Sequence, residues 1–117
     1  MTDRELLEAA AKAAGIEVDF TVFSDGSFIC FKQGGDCFSD QWNPLTDDGD
    51  ALRLAVKLSL LIAPIPYQPG INAYGAVGVS WPGQRFDLDY ERFTNDPYAA
   101  TRRAIVRAAA EIGRNMK

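Results

Sequence analysis

The sequence predicts an α+β fold in which three helices pack on a mostly antiparallel sheet. Three segments carry apolar residues at helical spacing, and the segments between them alternate apolar with polar residues. Turn-forming Gly, Pro, Asn and Asp residues separate these segments. The predicted order is α-βββ-α-ββ-α, and the length of 117 residues fits a single domain over 1–117.

The first helix is predicted to begin at Asp3. Thr2 and Glu5 form the T-x-x-E pattern of a capping box, in which each side chain satisfies a free backbone N–H of the first turn. Gly15 supplies the left-handed residue that commonly ends a helix. Leu and Ala residues share one side and charged residues the other, so one face is expected to pack on the rest of the fold.

A three-stranded meander is predicted next. Asp25-Gly26 is a strong signal for a two-residue hairpin turn, which would pair Phe23 with Phe28. In this register the core face consists of Val18, Phe20, Val22, Ile29 and Phe31. A second tight turn at Gly34-Gly35 would place Phe38 in a third strand.

The second helix is predicted to begin at an N-cap supplied by Thr46 or Asp48 and to run to about Leu61. It is apolar on two sides. One stripe consists of Ala51, Leu54, Ala55, Leu58, Leu61 and Ile62, and the second consists of Leu52, Val56 and Leu60. Such a helix must be covered on two sides, either by the sheet and another helix of the same chain or by a second subunit or partner protein.

A second hairpin and a third helix complete the predicted fold. Alternation over 71–81 and 85–91, joined by a four-residue loop around Pro82-Gly83, predicts two antiparallel strands. Asn95-Asp96-Pro97 supplies an N-cap and a first-turn proline for a helix to about Ile112, with Gly113 after its end. Its predicted buried stripe consists of Tyr98, Thr101, Ile105, Ala108 and Ile112.

Composition excludes several kinds of site. The chain contains no His, which rules out His-based metal sites and Ser-His-Asp triads. Cys30 and Cys37 alone are too few for a structural zinc site, and both are expected to be free and partly buried in a reducing cytoplasm. The start of the chain lacks a signal-peptide pattern, and the longest apolar run, 58–66, is far shorter than a membrane span. We therefore expect a cytoplasmic protein with no membrane contact and no cofactor.

Acidic residues cluster at two places. Asp87, Asp89 and Glu91 alternate along the last predicted strand and share one face, where they are either solvated or bind a divalent cation. We favour solvation, because the facing strand offers too few further ligands. The three Asp residues within 47–50 lack the spacing of a calcium loop and are expected to cap the second helix.

Basic residues form a patch on the last helix. Arg103, Arg107 and Arg114 share the face opposite the predicted buried stripe, with Glu111 among them and Arg102 to one side. This face either holds phosphates of a nucleic acid or is solvated. A formal net charge of −4 removes any general attraction for nucleic acid, and pairing of Arg107 with Glu111 at i,i+4 would neutralise part of the patch.

Two stretches, 42–58 (WNPLTDDGDALRLAVKL) and 96–113 (DPYAATRRAIVRAAAEIG), resemble the signature segments of the phage ABA sandwich domain family, small proteins of bacteriophages and prophages. The resemblance implies an α-β-α layered fold and a phage or prophage origin, and it brings no activity, cofactor or catalytic residue. We therefore expect a non-enzymatic phage or prophage accessory protein in the host cytoplasm. It would bind a protein partner, or dimerise, through its second helix.

The expected interaction surface consists of Leu52, Val56, Leu60, Arg103, Arg107 and Arg114. A nucleic-acid-associated protein that uses the arginine face is the second hypothesis, and a metal-dependent enzyme that uses Asp87, Asp89 and Glu91 is the third.

Overall fold

The part of the chain that the structure describes forms three helices and five strands, in the order α-ββ-α-βββ-α. The structure is a computed structural model, and it describes residues 2–65, 76–80, 89–92 and 96–116. The helices are α1 (Asp3–Ala14), α2 (Asp48–Lys57) and α3 (Pro97–Arg114), and the strands are β1 (Val18–Val22), β2 (Phe28–Lys32), β3 (Leu61–Ile65), β4 (Ala76–Ser80) and β5 (Asp89–Arg92). The α+β class is confirmed, with two small antiparallel sheets. The predicted strand order is wrong. Two strands, and not three, precede α2, and three strands, and not two, follow it.

The helix α1 has the predicted caps at both ends. Thr2 Oγ1 accepts the Glu5 N–H at 3.2 Å, and Gly15 adopts the left-handed conformation with φ 73°. The buried residues of α1 are Leu6, Leu7, Ala10, Ala11 and Ala14. This apolar face brings α1 into contact with α3.

The first hairpin has a three-residue loop where two residues were predicted. The Phe23 N–H donates to the Ser27 carbonyl at 2.8 Å, and Gly26 between them has φ 90°, which L-residues with a side chain rarely adopt. The register is therefore shifted by one residue and pairs Phe20 with Cys30. Because such a shift turns every side chain of one strand over, Cys30 belongs to the core, and Phe28 stacks edge-to-face on Phe20 with 5.6 Å between ring centroids.

The predicted third strand of the meander does not form. Asp40 Oδ2 accepts the Asp36 N–H at 2.7 Å, and Asp36 Oδ1 accepts the Phe38 N–H at 2.7 Å. These side-chain bonds replace the hydrogen bonds that a strand would need, so the chain forms turns over 33–40. Pairing with β2 is restricted to one bridge, between Gln41 and Phe31.

The helix α2 ends at Lys57, four residues earlier than predicted. Ser59 takes a left-handed conformation with φ 54°, and its N–H donates to the Val56 carbonyl. The Leu60 N–H donates to the Ala55 carbonyl at 2.9 Å. Together the two bonds make a Schellman motif, in which the left-handed position usually holds Gly.

The strand β3 occupies a segment that the sequence assigned to a helix end and a loop. Leu61 and Ile62 start this strand, and Pro64 lies inside it. The sheet order β3-β4-β5 puts β3 at an edge, where a proline is tolerated. The β4–β5 pair is antiparallel as predicted, but its register places Val79 opposite Asp89 and differs from the one that a four-residue loop implies.

The helix α3 is the central element of the fold. Its N-cap Asp96 accepts the N–H groups of Tyr98 and Ala99, both at 3.0 Å, and Pro97 follows in the first turn as predicted. The helix contacts α1, α2, β4 and β5. Its buried residues are Ala100, Ala104, Ile105, Val106, Ala108, Ala109, Ala110 and Gly113. Tyr98, predicted to be buried, is 72% exposed.

Gly113 lies inside α3 and not after its end. A Cβ at this position would overlap the carbonyl oxygen of Ala9 in α1 and would lie 2.8 Å from its carbonyl carbon. The missing side chain thus allows the two helix backbones to approach closely.

Candidate functional site

An exposed apolar surface lies on α2. Leu52 and Val56, one turn apart, are 61% and 70% exposed, and we call this pair the α2 apolar face. The buried residues of the same helix are Ala51, Leu54 and Ala55. Leu60, the third member of the predicted second stripe, lies beyond the helix end and packs half-buried against the core. The second stripe therefore keeps two of its three predicted members.

The acidic residues at the start of α2 cap the helix, as the sequence indicates. Asp47, and neither of the two residues predicted, is the N-cap and accepts the Asp50 N–H at 2.8 Å. Asp50 in turn accepts the Asn43 N–H at 3.0 Å and binds Arg53 at 2.8 Å. These bonds use both carboxylate oxygens of Asp50.

Arg102 connects α3 to the start of α2. Its Nε donates to the Leu45 carbonyl at 2.9 Å, and its Nη1 forms an ion pair with Asp48 at 2.7 Å. The Arg102 side chain is only 17% exposed. The residue therefore positions α2 and its apolar face, and it takes no part in the predicted arginine patch.

The arginine face is partly neutralised by carboxylates of the protein itself. Arg103 Nη1 lies 3.2 Å from a carboxylate oxygen of Asp3 in α1, and Arg114 Nη1 lies 3.6 Å from one of Glu111. Arg107 is exposed. The carboxylates beside Arg103 and Arg114 reduce the positive potential that a phosphate backbone would meet.

The other predicted candidates are only partly covered by the structure. Asp87 lies outside the described residues, and Asp89 and Glu91 are described as backbone positions of β5. Among the residues whose side chains are described, no three His, Cys, Asp or Glu side chains cluster closely enough to hold a metal ion.

Both cysteines are free thiols, as predicted. Cys30 is fully buried, and Cys37 is half-buried. Burial, together with the negative charges of Glu8 and Asp50, raises the pKa of the Cys30 thiol to about 12. Cys30 is therefore a small core residue and not a nucleophile at neutral pH.

A cleft of about 390 Å³ opens between the end of α1, the segment after β2 and α2. Its lining residues are Ala14, Ile16, Lys32, Ser39, Asp40, Gln41, Trp42, Asp50, Arg53, Leu54 and Lys57. The sequence did not predict this cleft, because its residues come from three separate segments and no local pattern joins them. The structural role of Arg102 was not predicted either, although its position between the small buried residues Ala100 and Ala104 was a usable signal.

Comparison with known proteins adds no relative: searches of family models, of curated proteins and of solved structures find no match to this chain. The resemblance of 42–58 and 96–113 to a phage family remains a prediction. No helix in the described part of the chain is long and apolar enough to cross a membrane.

Proposed function

We propose that this protein is a phage or prophage accessory protein without enzymatic activity that binds another protein through the α2 apolar face. The observation that carries the proposal is the exposure of Leu52 and Val56 on consecutive turns of a helix whose other side is buried. Each large aliphatic side chain gains about 1.5–3 kcal/mol when it is moved from water into a protein interior. A partner that covers both would recover this free energy.

A helix-in-groove contact suits this surface. Such contacts use apolar anchors at i and i+4 of a short helix, the spacing of Leu52 and Val56. A partner with an apolar groove covers both anchors at once. We therefore propose a different protein as the partner, and the sedimentation experiment below tests a homodimer separately.

The phage origin, the α-β-α layering and the host-cytoplasm location belong to the same proposal. The two segments that resemble the phage family contact each other, because Arg102 of the second binds both the Leu45 carbonyl and Asp48 of the first. This contact supports the interpretation of the two segments as one structural unit.

Affinity capture with matched variants tests the proposal. The tagged protein is expressed in the bacterial host as wild type, as Leu52→Ser with Val56→Ser, and as Phe38→Ser, which removes an apolar side chain that is 74% exposed elsewhere. We expect one host protein to be retained by wild type and by Phe38→Ser and lost from the double variant. Equal retention by all three contradicts the proposal.

The same experiment also tests the second hypothesis, that the arginine face binds nucleic acid. Nucleic acid that co-purifies with all three proteins and is lost when Arg103, Arg107 and Arg114 are replaced by Gln would favour nucleic-acid binding. Sedimentation of the wild type at 10 and 100 μM, concentrations chosen to reveal a Kd of about 10⁻⁵ M, tests for a homodimer.

A further inference from the structure

The cleft beside α2 has the size of a small-molecule site. Its volume of about 390 Å³ lies within the range of roughly 300–1,000 Å³ that is typical of ligand pockets. Trp42 and Leu54, both members of the buried core, contribute apolar surface to it. The cleft uses a different side of α2 from the apolar face, so it is independent of the proposed protein contact.

The charges around the cleft do not cancel. Both carboxylate oxygens of Asp50 are engaged, one by Arg53 and the other by the Asn43 N–H. Asp40 accepts the Asp36 N–H at 2.7 Å and keeps its negative charge, so the lining holds three cationic side chains, those of Lys32, Arg53 and Lys57, against two carboxylates. Within the described part of the chain, neither Lys32 nor Lys57 has a carboxylate within 4.0 Å, and both line the cleft.

Two ammonium groups without an ion-pair partner among the described residues therefore lie at a cleft whose walls are partly polar and partly apolar, in a protein whose formal net charge is −4. Because the protein as a whole is negatively charged, the excess of positive charge at the cleft is a local feature. An anion at the cleft would gain charge-assisted hydrogen bonds from lysines that have lost none to internal ion pairs.

We propose that this cleft binds a small organic anion. Lys32 and Lys57 hold its carboxylate, phosphate or sulfonate group, and its apolar body lies against Trp42 and Leu54. Both lysines are exposed and reach the ligand as point charges, so they set affinity for the anionic group without fixing a planar, two-point geometry.

Fluorescence titration with 8-anilinonaphthalene-1-sulfonate tests this proposal, because the probe combines an aromatic body with a sulfonate and becomes bright in apolar surroundings. We expect saturable binding to the wild type that weakens about tenfold in Lys32→Gln with Lys57→Gln, the equivalent of about 1.4 kcal/mol. Lys12→Gln, a loss of charge at a residue that does not line the cleft, is expected to change affinity less than twofold. Leu52→Ser with Val56→Ser is expected to bind the probe like the wild type.

Benzoate and phenyl phosphate, added at constant ionic strength, distinguish a carboxylate from a phosphate ligand, and the proposal requires that at least one displaces the probe. Equal affinity of the wild type and the Lys32/Lys57 double variant contradicts it. So does loss of binding in the Leu52/Val56 variant alone, which would place the probe on the α2 apolar face. Circular dichroism spectra that match the wild type establish that each variant is folded.

Discussion

Arg102 shows how one side chain fixes the position of a functional surface. It is an arginine among small buried residues of α3, and it donates to a backbone carbonyl that precedes α2 and to Asp48 at the start of that helix. When a partly buried carbonyl group loses its hydrogen-bond donor, the stability of the folded protein falls by about 1–3 kcal/mol. The placement of α2 therefore depends on a contact between segments 57 residues apart in sequence.

Arg102→Gln is predicted to lower the free energy of unfolding by about 1–3 kcal/mol, since the shorter side chain cannot make both bonds. Arg103→Gln is the control, because the Arg103–Asp3 pair is about half exposed and such pairs contribute about 0–1 kcal/mol. Urea unfolding measures both values. An equal loss in the two variants would show that Arg102 has no special structural role.

Cys30 gives a prediction about pH. Its thiol has a pKa of about 12 in the folded protein and an ordinary value near 9 in the unfolded chain, so the unfolded chain releases this proton first as pH rises. The contribution of Cys30 to stability is complete below about pH 9 and falls above it by up to about 1.4 kcal/mol per pH unit.

Urea unfolding of the wild type and Cys30→Ala, under reducing conditions between pH 7.5 and 10, tests this sign. The difference in unfolding free energy between the two proteins is expected to shrink above pH 9. A difference that stays constant across this range contradicts the buried, protonated thiol.

At the scale of elements, the end of α2 is set by an unusual residue. Ser59 holds the left-handed position of a Schellman motif, which costs a residue with a Cβ about 1–2 kcal/mol. Because Gly adopts this conformation freely, Ser59→Gly is predicted to raise the unfolding free energy by about 1 kcal/mol after its greater entropy in the unfolded chain is counted. Thermal and urea unfolding measure the change, and a loss of stability would show that the motif does not form.

At Gly113, where α1 packs on α3, we expect a substitution to destabilise the protein. In a helix interior Ala is favoured over Gly by about 0.5–1 kcal/mol, so propensity alone would make Gly113→Ala stabilising. The overlap of the new Cβ with the Ala9 carbonyl is expected to dominate and to destabilise the protein by about 1–3 kcal/mol. A stabilised variant would mean that the two helices are farther apart than described.

These elements also show what sequence could and could not predict. Thr2, Gly15, Asp96 and Pro97 carry strong local signals, and the helix ends they mark form as predicted. The first hairpin was placed correctly but its register was not, because Asp25-Gly26 serves a three-residue loop as well as a two-residue one.

The end of α2 and the strand β3 were missed for related reasons. Ser59 gives no stop signal at a position where Gly would have given one, and Pro64 argues against a strand unless the strand is at an edge. For the candidate sites, too, the sequence predicted what a local pattern shows and not what depends on the tertiary fold. The exposed pair on α2 was visible as a helical pattern, whereas the cleft required the tertiary fold.

In the whole molecule, α3 contacts α1, α2, β4 and β5, and α2 carries both proposed surfaces. The apolar face of α2 is proposed to bind a protein, and the cleft on another side of the helix is proposed to bind a small anion. The carboxylates of Asp3 and Glu111 reduce the positive potential of the arginine face of α3. We therefore propose that α2, and not α3, is the element that binds a partner.

Photo-crosslinking compares the α2 apolar face with another exposed apolar position. Val56 is replaced by p-benzoylphenylalanine in one protein and Phe38, which is similarly exposed, in another, and both are irradiated in the bacterial host. We expect one discrete adduct of higher mass at position 56, lost when Leu52→Ser is added, and no such adduct at position 38. Adducts of equal yield at both positions, or none at position 56, would show that the α2 apolar face is not the binding surface.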